Sequence, residues 1–283
     1  MKISNLSIQP FTTGFMLKNI TVPVDFSGES ENALLFAAEI AKRVSARLTI
    51  LHAQTSAENA QQDEEKLKFL KSNLQNVFGS DLDCETSLAP FDLAHILKSN
   101  LSTQKTHLIV MGTKGASGLK RILIGSNTVR VIAEVPVPIL VIPGAARFED
   151  FNKKGKNRVV FASDLEEIKN EASLDFLAEF MRLMIQPKLR ILTVRPKNTS
   201  LNIQQGLQRK SLLSGFGDLV DTEIVTVFSS NVLDGIQFYL DKNTDTGMIV
   251  MISKDSGGLF QRHFTREMAS VTHYPLLVLK EKD

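Results

Sequence analysis

Small residues recur at fixed intervals between residues 112 and 127, in a segment whose composition suits anion binding. Two residues separate Gly112 from Gly115, and nine more separate Gly115 from the neighbours Gly125 and Ser126. A backbone without side chains can approach a ligand closely, and the unpaired N–H groups at the start of a helix favour an anion. Because a helical pattern follows from Asn127, the segment predicts two backbone cradles that bracket one phosphate-binding pocket.

The elements that must position this segment follow a βαβ pattern. Continuous apolar runs are typical of parallel strands that are covered on both faces, so the fold class is predicted to be α/β. Ligands of such folds bind at the carboxyl ends of the strands, beside a switch in strand order. In the first half, strands are predicted near 19–25, 47–53, 83–88, 107–111 and 138–142, and helices over 29–45, 60–78, 91–101 and 126–135.

The second half of the chain repeats the first, which is the pattern of an internal duplication. The repeat places Asp25 over Asp164 and Gly112 over Ile252. The matching segments keep their order along the chain, so we predict that both halves have the same fold. They pair 19–27 with 157–165, 47–53 with 189–194, 106–119 with 246–259, and 136–143 with 273–280.

This duplication predicts two domains of 17–148 and 156–283. A polar stretch near 145–156 separates them, and residues 1–16 precede the first patterned segment. We expect residues 1–16 to be an N-terminal extension, or Met16 to be the biological start.

The second copy departs from the first where the anion cradle is predicted. Ile252 and Asp255 stand in place of Gly112 and Gly115. A branched side chain would crowd the end of the strand, and a carboxylate would repel phosphate. We therefore predict no triphosphate site in the second half, although Asp164 leaves a smaller ligand open.

Composition narrows the function classes. The chain of 283 residues has a formal net charge of only +2, so it lacks the cationic excess that drives nucleic-acid binding. No apolar run approaches the roughly 20 residues needed to cross a bilayer. The single cysteine, Cys84, suits a reducing compartment, and a cytoplasmic location is expected.

The segment from Gly112 to Ser126 resembles the universal stress protein family, whose hallmark has this glycine spacing followed by Ser or Thr. The segments at 22–27 (VPVDFS) and 48–53 (LTILHA) are similar to the first two strands of that family. The resemblance implies two tandem Rossmann-like domains, each with five parallel strands, of the kind that adenine nucleotide alpha hydrolases share. By position, it implies that Asp25 and the backbone of Ala53 contact adenine or ribose, that Met111 and Gly112 border the ribose, and that Gly115, Gly125, Ser126 and Asn127 hold phosphates.

The resemblance further implies that the first domain binds ATP, with Mg²⁺ on the phosphates, as a stress-response regulatory module. No cofactor is expected in the second domain, and the sequence predicts no catalytic residue or protein metal site. Two alternatives stay open: a slow ATPase or self-phosphorylating protein with Ser126 or Thr128 as acceptor, and a scaffold without nucleotide. Asp25 could also be a turn residue and Ser126 a helix cap, while Lys114, Lys120 and Arg121 could serve phosphate or form a solvated face.

The last strands of the two halves are expected to pair with each other. Single-domain relatives pair in this way, so residues 138–142 and 276–279 should join the halves as an internal pseudo-dimer. Such pairing removes two exposed sheet edges. A homodimer of pseudo-dimers is a further possibility that the sequence leaves open.

Overall fold

The computed structural model of the chain describes residues 17–54, 56–90, 92–104, 106–113, 125–151, 155–254, 268 and 273–281. Several residues singled out above lie outside this part of the chain. They are residues 1–16, Lys114, Gly115, Lys120, Arg121 and Asp255.

The chain divides into two compact units, and the division falls between Phe148 and Glu149. We call residues 17–148 the N-terminal unit and the described residues from 149 onward the C-terminal unit. Both units are α/β, which confirms the predicted fold class. The predicted pairing of 138–142 with 276–279 stays a prediction.

The described residues of the N-terminal unit form five strands and four helices of more than one turn. Its strands are parallel and lie in the order β3-β2-β1-β4-β5. Strands β2 and β3 therefore lie on one side of β1, and β4 and β5 lie on the other side. The elements are β1 (Asn19–Pro23), α1 (Gly28–Val44), β2 (Arg47–Gln54), a 3₁₀ turn (Ala57–Asn59), α2 (Ala60–Phe78), β3 (Cys84–Pro90), α3 (Leu93–Gln104), β4 (Leu108–Gly112), α4 (Ser126–Glu134) and β5 (Ile139–Ile142).

The C-terminal unit repeats this arrangement, as the duplicated sequence predicts. Its parallel strands lie in the order β8-β7-β6-β9-β10, and all eight residues of the inner strand β9 are buried. After a single helical turn, α5 (Phe148–Phe151), the elements are β6 (Arg158–Ala162), α6 (Glu171–Met181), β7 (Lys188–Arg195), α7 (Ile203–Gly217), β8 (Asp221–Phe228), α8 (Val232–Lys242), β9 (Thr246–Ser253) and β10 (Leu276–Lys280).

Helix α1 illustrates how the local sequence sets the ends of an element beside the site. The Ser27 hydroxyl accepts a hydrogen bond from the Ser30 N–H, which caps the amino end. Ser45 takes a left-handed conformation at the carboxyl end, with φ of 53°. Small and apolar residues such as Ala33, Leu34, Ala37 and Ala41 form its buried face, which holds the helix against the sheet.

Left-handed backbone recurs at matching positions of the two units. Phe26 and Leu165, which follow β1 and β6, both have φ of 60°, although neither is glycine. A positive φ is uncommon for bulky residues and costs of order 1–3 kcal/mol. The segment between the first strand and the first helix therefore has the same backbone strain in both units.

Cys84 begins β3 and is only 5% exposed. Burial raises the pKa of its thiol from 9.0 to about 11, since an anionic thiolate is poorly solvated there. Cys84 is thus a buried thiol that ionises poorly.

We expect Cys84 of the folded protein to resist alkylation. With the pKa raised from 9.0 to about 11, the thiolate fraction at pH 8 falls by about 100-fold relative to the unfolded chain. Mass spectrometry after timed exposure to iodoacetamide, with and without urea, measures the two rates. Equal rates in both conditions would show that the thiol is accessible and ionised in the native state.

Within the described residues, no helix is both long enough and apolar enough to span a bilayer.

Candidate functional site

A cleft of about 570 Å³ lies at the carboxyl ends of β1, β2 and β4, where the strand order reverses. This volume is within the range of about 300–1,000 Å³ that small-molecule sites occupy. Every predicted site residue that the structure describes lines this cleft, whereas Gly115 lies outside the described residues. The residues brought together are Asp25, Ala53, Met111, Gly112, Gly125, Ser126 and Asn127.

Asp25 follows β1 and forms a turn into α1. Its Oδ1 accepts hydrogen bonds from both the N–H and the hydroxyl of Ser27, so the turn role left open by the sequence is real. Partial burial raises the pKa of this carboxyl, but the hydrogen bonds from Ser27 outweigh burial and leave the pKa below its ordinary value. The carboxylate is therefore ionised at neutral pH and can only accept hydrogen bonds, which selects an N–H or O–H donor on a ligand.

Gly112 ends β4 and lies against the first turn of α1. A methyl group placed on Gly112 would lie 2.5 Å from the carbonyl oxygen of Glu29 and 2.8 Å from its carbonyl carbon. Both contacts are far inside van der Waals range and involve backbone. From sequence, this glycine was predicted to allow the close approach of a ligand, which stays a prediction. The structure shows a further need for glycine here, because the backbone of α1 occupies the space that a side chain would take.

The amino end of α4 opens into the same cleft. Gly125 is the N-cap residue, with φ of −63° and ψ of 145°, and it has no side chain to satisfy the first N–H groups. The sequence left open that Ser126 is the helix cap, but Ser126 is the first residue inside the helix. Its hydroxyl therefore does not act as the N-cap group. Ser126 and Asn127 are both exposed, so the free end of the helix faces solvent within the cleft.

Thr128 ties the start of α4 to the end of β4. Its hydroxyl donates a hydrogen bond of 3.2 Å to the carbonyl oxygen of Gly112, and the residue is 4% exposed. A buried hydroxyl that already has an acceptor is a poor phosphoryl acceptor. The contact also fixes the helix terminus beside the strand end, as an anion site requires.

Four residues that sequence reasoning did not single out as site residues form another wall of the cleft: Phe26, His52, Asp63 and Lys66. The ring centroids of Phe26 and His52 are 4.4 Å apart, and the Lys66 ammonium lies 5.0 Å from the centroid of the Phe26 ring. His52 Nδ1 is 2.7 Å from the Val24 carbonyl oxygen, and His52 Nε2 is 3.4 Å from Asp63 Oδ2. Because a carbonyl only accepts, Nδ1 carries a proton.

One sequence signal could have revealed this wall. Asp63 precedes Leu67 by one helical turn, and Leu74 follows on the same buried face of α2. An acidic residue on the apolar face of a helix is rarely buried without a partner. Asp63 is 6% exposed, its Oδ1 lies 3.6 Å from the Lys66 ammonium, and its Oδ2 faces His52. The buried face of α2 therefore contains a polar cluster.

In the C-terminal unit, Asp164 stands at the position that corresponds to Asp25. Asp164 is 7% exposed, and its Oδ1 lies 3.7 Å from the ammonium of Lys254. Lys254 also donates to the carbonyl oxygen of Glu167 at 3.2 Å. A side chain of the same unit therefore lies beside this carboxylate. Lys114, which the repeat aligns with Lys254, lies outside the described residues.

Comparison with known proteins shows that this chain is similar to universal stress proteins. The model of the universal stress protein family matches residues 16–76 and 102–143, both within the N-terminal half. Universal stress protein YxiE of Bacillus subtilis (strain 168) is 26% identical over 147 residues, which cover 45% of this chain and 99% of that protein. The crystal structure of a universal stress protein from Archaeoglobus fulgidus DSM 4304 covers 95% of this chain with a TM-score of 0.71 and 16% identity, a likeness of fold across both halves.

Proposed function

Because the N-terminal half of this chain belongs to the universal stress protein family, we propose that it binds ATP in the cleft at the carboxyl ends of β1, β2 and β4. One observation carries the proposal. Residues from four separate segments of the chain, predicted as contacts for base, ribose and phosphate, line a single cleft of suitable volume. Binding there would make the protein a nucleotide-responsive module of a cytoplasmic stress response.

The charges of the cleft favour a nucleotide that carries a divalent cation. Among its described lining residues, Asp25, Glu29 and Asp63 are acidic, and Lys66 is basic. Bare triphosphate would meet net negative charge on this side, whereas Mg²⁺ bound to the phosphates would offset it. We therefore propose Mg²⁺-ATP as the ligand, with the amino end of α4 beside the phosphates.

The proposal assigns no nucleotide to the C-terminal half. Lys254 already pairs with Asp164, and the side chain of Ile252 stands where the N-terminal unit has the glycine that contacts α1. We propose that the half bounded by residues 156–283 is a structural partner of the binding half, 17–148.

Titration calorimetry of the full chain with Mg²⁺-ATP tests the proposal, and Ser126→Asp is the informative variant. A carboxylate at the first residue of α4 favours the helix dipole and is exposed, so the fold should be kept. The same charge would repel phosphate at the helix terminus. We expect sub-millimolar binding by the unaltered protein and a loss of about tenfold or more in the variant, since one repulsive charge contact costs about 1.4 kcal/mol or more at short range.

Ser126→Asn is the matched control, because it adds similar bulk without charge and should bind nearly as the unaltered protein does. Adenosine should bind equally to all three proteins. Absence of heat with Mg²⁺-ATP at millimolar concentration, or equal binding of ATP by the Asp variant, would contradict the proposed site.

A further inference from the structure

Thr113 is a buried polar residue in the cleft that the proposed contacts do not use. It is 1% exposed and lines the cleft beside Gly112. Its backbone N–H donates to the carbonyl oxygen of Ile142 at 3.0 Å, so the backbone of Thr113 extends the pairing of β4 with β5. Its hydroxyl, by contrast, has no hydrogen-bond partner among the residues that the structure describes.

The backbone determines which way this hydroxyl-bearing side chain points. Side chains of successive strand residues point to opposite faces of a sheet. A side chain at Gly112 would meet Glu29 of α1, so Thr113 projects to the face away from α1. The start of α4 is held next to this point by the hydrogen bond from Thr128 to the Gly112 carbonyl.

An unsatisfied hydroxyl in a buried position is unfavourable, and native proteins seldom keep one without a reason. Thr128 provides a comparison within the same cleft: it is also a buried threonine, but its hydroxyl has an acceptor in the backbone. A molecule bound in the cleft can supply the acceptor that Thr113 lacks among the described residues. The nearest free donors, the exposed N–H groups at the start of α4, favour an anion, so the missing acceptor has the character of a phosphate oxygen.

We propose that the Thr113 hydroxyl donates a hydrogen bond to a phosphate oxygen of the bound nucleotide and so distinguishes nucleotides from nucleosides. The inference rests on the proposed function and adds a residue to it. Thr113 and the amino end of α4 would contact the phosphates together, while Asp25 at the end of β1 would contact the nucleoside.

Thr113→Val tests this role, because valine keeps the shape of threonine and removes the hydroxyl. Without ligand, the variant should unfold at the same temperature as the unaltered protein or higher, since replacing an unpaired buried hydroxyl by a methyl group removes a desolvation cost. Its affinity for Mg²⁺-ATP should fall by about tenfold or more, as expected for loss of a hydrogen bond to a charged group. Its affinity for adenosine should not change, and Thr113→Ser should restore ATP binding.

Each other outcome overturns the inference in a recognisable way. Equal ATP affinity of the Val variant shows that the hydroxyl does not contact the ligand. A parallel fall for ATP and adenosine places the contact on the nucleoside, and a clear loss of stability in the free variant shows that the hydroxyl already had a partner such as water. If the unaltered protein binds no ATP, the proposed function itself fails; if it binds ATP and Thr113→Val makes no difference, only the role of Thr113 fails.

Discussion

Replacing Asp164 by alanine should lower the free energy of unfolding by about 3–5 kcal/mol, because it leaves the buried ammonium of Lys254 without its counter-charge. The side chains of the two residues are 5% and 10% exposed, so water cannot solvate the remaining charge in the native state. Lys254→Met should have a comparable effect, since among the described residues the Asp164 carboxylate would retain the N–H of Glu166 alone, at Oδ1. Urea denaturation followed by circular dichroism measures both losses.

The double variant Asp164→Asn/Lys254→Met separates the value of the pair from the cost of a buried single charge. We expect the double variant to be clearly more stable than the sum of the losses in Asp164→Asn and Lys254→Met predicts, with both single variants measured alongside it, because neither charge is then buried alone. Asp81→Ala is a control: its pair with Lys42 is shorter, at 2.5 Å, but the two side chains are 75% and 38% exposed. That change should alter stability little, because exposed ion pairs are solvated in both states. If the exposed pair proves the stronger of the two, burial does not determine the strength of these contacts.

Gly112→Ala should lower the free energy of unfolding by about 1–3 kcal/mol, the usual effect of overpacking a tight contact. The new methyl group would lie 2.5 Å from the Glu29 carbonyl oxygen, and a helix backbone cannot move aside as the end of a flexible side chain can. The first turn of α1 would have to shift away from β4, and with it the wall of the cleft at Glu29. Thermal unfolding should show a lower Tm, and ATP affinity should fall in the same variant.

Gly28→Ala is the matched control in the same region. Gly28 is the first residue of α1, and a methyl group placed there meets nothing within 4 Å among the described residues. Alanine favours a helix over glycine, so this variant should be as stable as the unaltered protein or slightly more so. Equal losses in both variants would point to a general need for glycine flexibility in this region and against the contact with Glu29.

Much of the fold could be predicted because hydrophobic periodicity records which faces are buried. The pattern over 60–78 predicts a helix whose bounds are those of α2, Ala60–Phe78, and the run over 47–53 differs from β2 by one residue. The run over 19–25 was too long by two residues. The Val24 N–H still donates to the carbonyl oxygen of Leu51, but the backbone of Phe26 then adopts a left-handed conformation. An apolar residue type gives no sequence signal for such a conformation.

The candidate site was predictable where the backbone makes it and less so where side chains meet across the fold. Glycine spacing and strand ends predicted one cleft with Gly112 and Ser126, since the carboxyl ends of parallel strands share an edge, and the family resemblance added Asp25; all three line the same cleft. The contact of His52 with Asp63 joins β2 to α2. No local sequence pattern specifies which polar residue of α2 lies beside His52. The close approach of Glu29 to Gly112 is likewise a property of packing and has no counterpart in spacing along the chain.

Phe26 and Leu165 have the same φ but different surroundings. Phe26 lines the cleft, whereas Leu165 is fully buried beside Asp164, which is paired with Lys254. Strain beside a cleft is commonly taken as evidence that a ligand maintains it. Here both copies have the distortion at matching positions, so it originates in the way a strand turns into a helix. The distortion therefore belongs to the architecture that both units share and is not by itself evidence of a ligand.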